Sequence, residues 1–179
     1  MSEHIDRLFS KERSKVSDFR FDKNVALVFD DMIHRSIPFY EDLQALIVKM
    51  ASDFAKPSTH IYDLGTATGY TLSRLATQIC DESIQLVGID NSADMLEKAQ
   101  KNAENSPEAQ RIQWVEGDLS QPLDLAPSSV CLLVLTLQFL DPEKRLEIIQ
   151  NIYESLTPGS ALILVEKVKG ESPATEQYY

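Results

Sequence analysis

Three aspartates, Asp63, Asp90 and Asp118, each close an apolar segment that reads as a β-strand, and the first leads into the loop Gly65-Thr66-Ala67-Thr68-Gly69. Gly65 lets the chain turn sharply and brings its backbone close to a ligand, because no side chain intervenes. Gly69 permits close passage at the start of a helix. A dinucleotide fingerprint needs Gly-x-Gly-x-x-Gly to grip a pyrophosphate. Here the glycines are Gly65 and Gly69, with Ala67 midway between them, which suits a small nucleoside ligand better. Asp90 falls 21 residues after Gly69, at the end of the next strand. In the related dinucleotide fold an acid at that place accepts ribose hydroxyls. Its alternative use as a helix cap is weaker, since Asn91 and Ser92 are already available as caps. Asp118, in Glu116-Gly117-Asp118-Leu119, suits an adenine amino group, with the Leu119 amide nearby. Asp63 can order the loop or pair with an amino group. The glycine pair alone is shared with ordinary strand-to-helix turns; the three strand-end acids turn it into a nucleoside site.

The elements that must carry these residues follow from periodicity. From Ile61 onward short apolar strands alternate with helical patterns, the signature of a mostly parallel α/β sheet with helices on both faces. The expected strands are 60–64, 84–89, 112–116, 130–135 and 161–166. The fourth is continuously apolar, as a central strand covered on both faces should be. Helical spacing places Leu72, Leu75, Ala76 and Ile79 on one inner face and Ala93, Leu96, Ala99 and Ala103 on the next. Asp141 should cap a helix starting at Pro142, burying Leu146, Ile149, Tyr153 and Leu156 and stopped by Pro158-Gly159. Ahead of the first strand, Leu43, Leu46, Ile47, Met50 and Phe54 mark an amphipathic helix. The aromatic stretch 19–40 is expected to lie as a lid over the carboxyl edge of the sheet, where such folds bind ligands. The chain thus divides into an N-terminal lid and helical region (1–57), a Rossmann-like domain (58–168) and a short, weakly structured tail (169–179).

Composition narrows the classes. A hydrophobic content of 43% over 179 residues supports one real core. The formal charge of −11 opposes direct binding to phosphate backbones. Cys80 and Cys131 both lie in apolar segments and are expected to be buried thiols, and the three scattered histidines offer no metal-ligand spacing. Neither a signal peptide nor a membrane-length apolar run is visible, so the expectation is a cytoplasmic protein without metal.

Asp63-Leu64-Gly65 with Gly69, Ile89-Asp90 and Gly117-Asp118-Leu119 resemble the successive motifs of class I methyltransferases over residues 58–168. A narrower similarity reaches the N-terminal region. Phe21-Asp22, Val25-Ala26, Val28-Phe29 and Asp31-Met32-Ile33 lead into Arg35-Ser36-Ile37-Pro38-Phe39-Tyr40. With Leu135-Thr136-Leu137-Gln138-Phe139-Leu140 before Asp141-Pro142, this resembles the carboxy-S-adenosylmethionine synthase family. The resemblance implies a transferase that takes S-adenosylmethionine, captures a carboxyl group from prephenate on the deprotonated S-methyl carbon, and yields carboxy-S-adenosylmethionine. It implies a homodimer whose product passes to a separate tRNA-modifying partner making 5-oxyacetyl uridine at the wobble position, so that the chain itself need not touch RNA. It also implies that Gly65, Thr66 and Ala67 form the cofactor loop, that Asp90 and Asn91 hold the ribose, and that Asp118 and Leu119 hold the adenine. Tyr40 and Arg35 then lie near the methionine end, Arg35 toward the substrate. No catalytic base is assigned; His34 is the nearest candidate and is not taken as one.

Two departures from that family pattern stand out. Val134 occupies the place of a family asparagine near the cofactor, so that a polar contact is lost or supplied by a neighbour such as Thr136. The family's C-terminal hairpin and carboxylate-holding arginine have no counterpart up to Tyr179, so the fifth strand is expected to be a bare edge. The alternative readings are a methyltransferase acting on a small molecule and a non-catalytic cofactor-binding remnant; the product formed distinguishes them.

Overall fold

The computed structural model describes residues 21–168, so Phe19 and the tail 169–179 lie outside the described residues. Five parallel strands run in the order β3-β2-β1-β4-β5: β1 His60–Leu64, β2 Gln85–Asp90, β3 Gln113–Glu116, β4 Ser128–Val134 and β5 Leu156–Val165. Five helices surround them: α1 Lys23–Ser36, α2 Tyr40–Phe54, α3 Tyr70–Gln78, α4 Ala93–Ala103 and α5 Pro142–Ser155. Among the described residues β3 and β5 are the two edges of the sheet.

The alternation of side chains along a strand divides the core into two. Ile61, Leu86, Val130 and Leu132 pack with Ile47, Val48 and Ala51 of α2 and with Leu72, Leu75 and Ala76 of α3. Their neighbours Tyr62, Leu64, Val87, Ile89, Cys131 and Leu133 face the other way, onto Ile148 and Ile152 of α5. Helices therefore cover both faces, and the central strands β1 and β4 are apolar almost throughout. Side-chain caps fix three helix starts: Asp22 accepts from the Asn24 and Val25 amides, Ser92 from Met95, and Asp141 from Glu143 with Pro142 at the first position.

The inner faces of several helices differ from their periodic expectation. In α5 the buried residues are Ile148, Ile152 and Ser155, whereas Leu146 and Tyr153 are 74% and 76% exposed. In α4 Met95 is buried and Ala93 is exposed. In α2 the buried face is Tyr40, Gln44, Ile47, Val48 and Ala51, leaving Leu46, Met50 and Phe54 exposed. Each of these helices carries more apolar residues than one stripe holds, and packing on the sheet selects the stripe, one residue away from the expected face in α5. Helix α5 also ends at Ser155, before Pro158-Gly159. Those two residues sit in an irregularity of β5, between the Ser128–Leu156 and Val130–Ala161 pairs, where Gly159 has φ 74°. Cys131 is buried as expected, but Cys80 is exposed, because the chain has already left α3 one residue earlier.

Candidate functional site

The sheet order reverses between β1 and β4, and a crevice opens there at the carboxyl ends of the strands. Gly65 leaves β1 with φ 80°, and its amide and that of Thr66 both donate to the Ile89 carbonyl, at 2.8 and 3.0 Å. A Cβ at Gly65 would stand 2.4 Å from Thr136 Cγ2, so the two loops meet too closely for any other residue. Ala67, with φ 48°, is held in the left-handed region by its amide donating to Asp90 Oδ2 at 2.9 Å. Gly69 repeats the device: a Cβ there would lie 2.3 Å from the Trp114 ring beneath the loop.

Asp90 is 9% exposed and joins the loop to the next helix, since its other oxygen accepts from the Ser92 amide at 2.9 Å. Burial raises its pKa, and the amides of Ser92, Ala67 and Asn91 oppose the rise. Each carboxylate oxygen keeps acceptor capacity for a ligand hydroxyl. Asp63 is 3% exposed and accepts from Thr66 Oγ1 at 2.9 Å. Burial pushes its carboxyl up to about 7, opposed by the Thr66 bond and reinforced by the charge of Asp90.

These groups face a cavity of about 610 Å³ between the sheet edge and α1. Of the residues singled out in the sequence, Tyr40, Asp63, Gly65, Thr66, Ala67, Asp90, Asn91 and Leu119 line it. Gly69 shapes the loop from below and is not in the wall. Asp118 is exposed, outside the wall, and accepts from the Ser120 amide at 2.8 Å. Arg35 is also outside, 3.3 Å from Asp31 on the solvent side of α1. Val134 and Thr136 both line the cavity, and the Thr136 hydroxyl donates to the Val134 carbonyl at 3.2 Å.

Helix α1 closes the top. Asp30 accepts from Thr68 Oγ1 of the loop at 2.6 Å, and Ser92 Oγ donates to the Phe21 carbonyl at 2.5 Å. Phe21 meets Phe29 and Phe139 edge-on, at centroid distances of 6.2 and 5.2 Å.

Two groups in and beside the wall contain residues that the sequence did not single out. Gln44 lies buried in α2 and accepts from Thr71 Oγ1 at 3.0 Å. At the mouth, Glu41 gathers His34 Nε2 at 2.5 Å, Tyr70 Oη at 2.6 Å and Arg74 at 2.6 Å. The Tyr70, His34 and Arg74 contacts hold the Glu41 carboxyl down near 2 against a small burial effect. Burial alone would lower the pKa of His34, but the Asp30 carbonyl at 2.6 Å and Glu41 on its other nitrogen raise it. These residues come from three helices, so no local motif announces them.

Among the described residues the cavity wall holds Asp30, Asp63 and Asp90 but no lysine or arginine. No three metal-binding side chains come together, and no helix is long and apolar enough to cross a membrane, again among the described residues.

An open parallel sheet, a glycine loop at its switch point and an aspartate closing the adjacent strand define a class I methyltransferase-type domain. The family model described as a methyltransferase domain matches residues 61–159. A putative S-adenosyl-L-methionine-dependent methyltransferase from Methanococcus maripaludis superposes with a TM-score of 0.63 at 20% identity, covering 85% of this chain and 67% of that one. Carboxy-S-adenosyl-L-methionine synthase from Methylococcus capsulatus is 42% identical over 167 residues, 93% of this chain and 69% of that protein. The Pseudomonas savastanoi protein of the same name is 40% identical, covering 94% of this chain and 70% of its own. The chain belongs to the carboxy-S-adenosyl-L-methionine synthase family.

Proposed function

We propose that the chain binds S-adenosyl-L-methionine and, with prephenate as the carboxyl source, converts it to carboxy-S-adenosyl-L-methionine for wobble-uridine modification of tRNA. The observation that carries the binding half is the wall chemistry: three carboxylates and no lysine or arginine among the described lining residues. Such a wall attracts a ligand bearing a sulfonium and an ammonium. The residues fit the ligand's other parts as well. On this reading Asp90 and Asn91 take the ribose, Leu119 the adenine, and Asp63 with Tyr40 the amino-acid end. Bound S-adenosylmethionine supplies the S-methyl carbon on which the carboxyl group is captured.

The chain's own contribution is then orientation and exclusion of water. The Gly65–Ala67 turn is pinned by Ile89 and Asp90, so the nucleoside meets a preformed backbone rather than a loop that must order around it. Phe21, Phe29 and Phe139 seal the top with apolar surface. We place the protein in the cytoplasm as a homodimer that hands its product to a tRNA-modifying partner, without binding nucleic acid itself. The test is incubation with S-adenosylmethionine and prephenate, followed by mass spectrometry. A carboxylated cofactor supports the reading. Binding without turnover points to a non-catalytic cofactor-binding protein, and methylation of a small acceptor points to an ordinary methyltransferase.

A further inference from the structure

Gln44 is fully buried at 0% exposure and lines the cavity from the middle of α2. Its Oε1 accepts from Thr71 Oγ1 across the α2–α3 contact, while its Nε2 has no hydrogen-bond partner of proper geometry. It neighbours the Tyr40 phenol, whose pKa is raised by burial first, against the effect of Gln44 and with the charge of Asp63 adding. An unpaired buried donor is a standing loss that a leucine or methionine at this helix position would avoid. A glutamine here therefore calls for an acceptor that comes from outside the fold.

The position indicates which acceptor. Within the cavity wall Asp90 and Asp63 interact, as do Asp63 and Tyr40, and Gln44 neighbours Tyr40. With Asp90 read as the ribose acceptor, these contacts lead through Asp63 to Tyr40 and Gln44, which on that reading is the end where S-adenosylmethionine carries its ammonium and its carboxylate. Asp63 offers acceptor oxygens, which match the ammonium. Side-chain donors for the carboxylate at this end are the Tyr40 hydroxyl and the Gln44 amide. His34 faces the Asp30 carbonyl with one nitrogen and Glu41 with the other, and the Tyr70 hydroxyl donates to Glu41. With Oε1 engaged by Thr71, the Gln44 amide has only its N–H groups left to offer, and a group that only donates selects an acceptor.

We propose that Gln44 is a specificity-determining residue of the cofactor site: Thr71 holds its amide with Nε2 toward the cavity, where it donates to the carboxylate of the cofactor's amino-acid end. This rests on the reading of the cavity as an S-adenosylmethionine site, and it adds a residue that selects for the carboxyl-bearing form of that ligand.

The test is calorimetric binding to the full chain of three probes: S-adenosylhomocysteine, its decarboxylated analogue, and methylthioadenosine, which lacks the amino-acid end. Q44L and Q44M remove the donor with little change of volume, and T71V frees the amide to turn. A hydrogen bond to a charged group implies that Q44L and Q44M weaken S-adenosylhomocysteine binding by about tenfold or more. The two variants should leave both carboxylate-free probes within about twofold, and T71V should lose affinity in the same direction by less. Thermal unfolding of each variant accompanies the titrations, and Q44M serves if Q44L does not fold. Equal weakening of all three probes would overturn the proposal, since a packing role does not distinguish a carboxylate. So would unchanged binding of S-adenosylhomocysteine. A wild-type chain that binds none of the probes would instead remove the cofactor reading itself.

Discussion

Substituting Gly65 with alanine tests the loop geometry through a neighbour that is distant in sequence. Two effects add. An L-residue in the left-handed region that Gly65 occupies, at φ 80°, loses about 1–2 kcal/mol. The new Cβ would also stand 2.4 Å from Thr136 Cγ2 and 2.5 Å from Thr136 Oγ1. Overpacking of that kind costs roughly 1–3 kcal/mol. Thr136 is β-branched, so turning its side chain gives little relief. The expected loss for G65A is therefore about 2–5 kcal/mol. In a T136A background both offending atoms are gone, and the remaining Thr136 Cβ position is 3.0 Å away. There G65A should cost about 1–2 kcal/mol, the left-handed term alone. The assay is equilibrium urea unfolding of the wild type, the two single variants and the double variant. A favourable coupling of about 1–3 kcal/mol is expected. If the two single effects instead add to within about 0.5 kcal/mol, Thr136 does not close the turn and the account of the loop is wrong.

The remaining predictions concern charge. D90A should reduce S-adenosylhomocysteine affinity about a hundredfold or more, because two ribose hydroxyls lose a charged acceptor; D90N, keeping one oxygen, should lose less, and calorimetry gives the order. The folded pKa of Asp63, about 7, lies above its ordinary value of 3.8, so this group's contribution to stability falls as pH rises between them. The D63N variant should gain stability relative to wild type over that interval, as read by urea unfolding at several pH values. For His34 the folded pKa is raised above 6.5, so its contribution is complete below that value and is lost as pH climbs through the folded pKa. Wild type and H34A should therefore converge in melting temperature on the alkaline side, and an NMR titration of the ring should show the raised midpoint directly.

Much of the fold was legible because the strands announce themselves. The continuous apolar run of β4 and the acid or glycine closing β1 and β2 marked their ends, and Asp22, Ser92 and Asp141 supply real caps. The loop and its partner Asp90 were legible for the same reason: a glycine turn between a strand and a helix is a local pattern. The inner face of α3 was legible too, since Leu72, Leu75, Ala76 and Ile79 are all buried, but the faces of α2 and α5 were not. Leu146 and Tyr153 are as apolar as Ile148 and Ile152, and only the shape of the sheet surface decides which pair is buried. Residues such as Gln44 and Glu41 escaped because their partners, Thr71 and Tyr70, come from another helix. Gln44 in particular interrupts an apolar face, and that interruption was the available signal.

Helix α1 has its own small core: Val25 and Ala26 pack on Met95, with Phe21, Phe29 and Ala67 at the margin, apart from the clusters on either face of the sheet. It can therefore lift as a unit while the sheet stays closed, which is how low-cost partial opening arises in stable proteins. The dwell time of a bound nucleoside is then expected to follow how often this small cluster breaks together with the Asp30–Thr68, Phe21–Ser92 and His34–Glu41 bonds, rather than the strength of the contacts beneath. Amide exchange should be faster along 23–36 than in β1 or β4, and ligand dissociation should keep pace with that local opening.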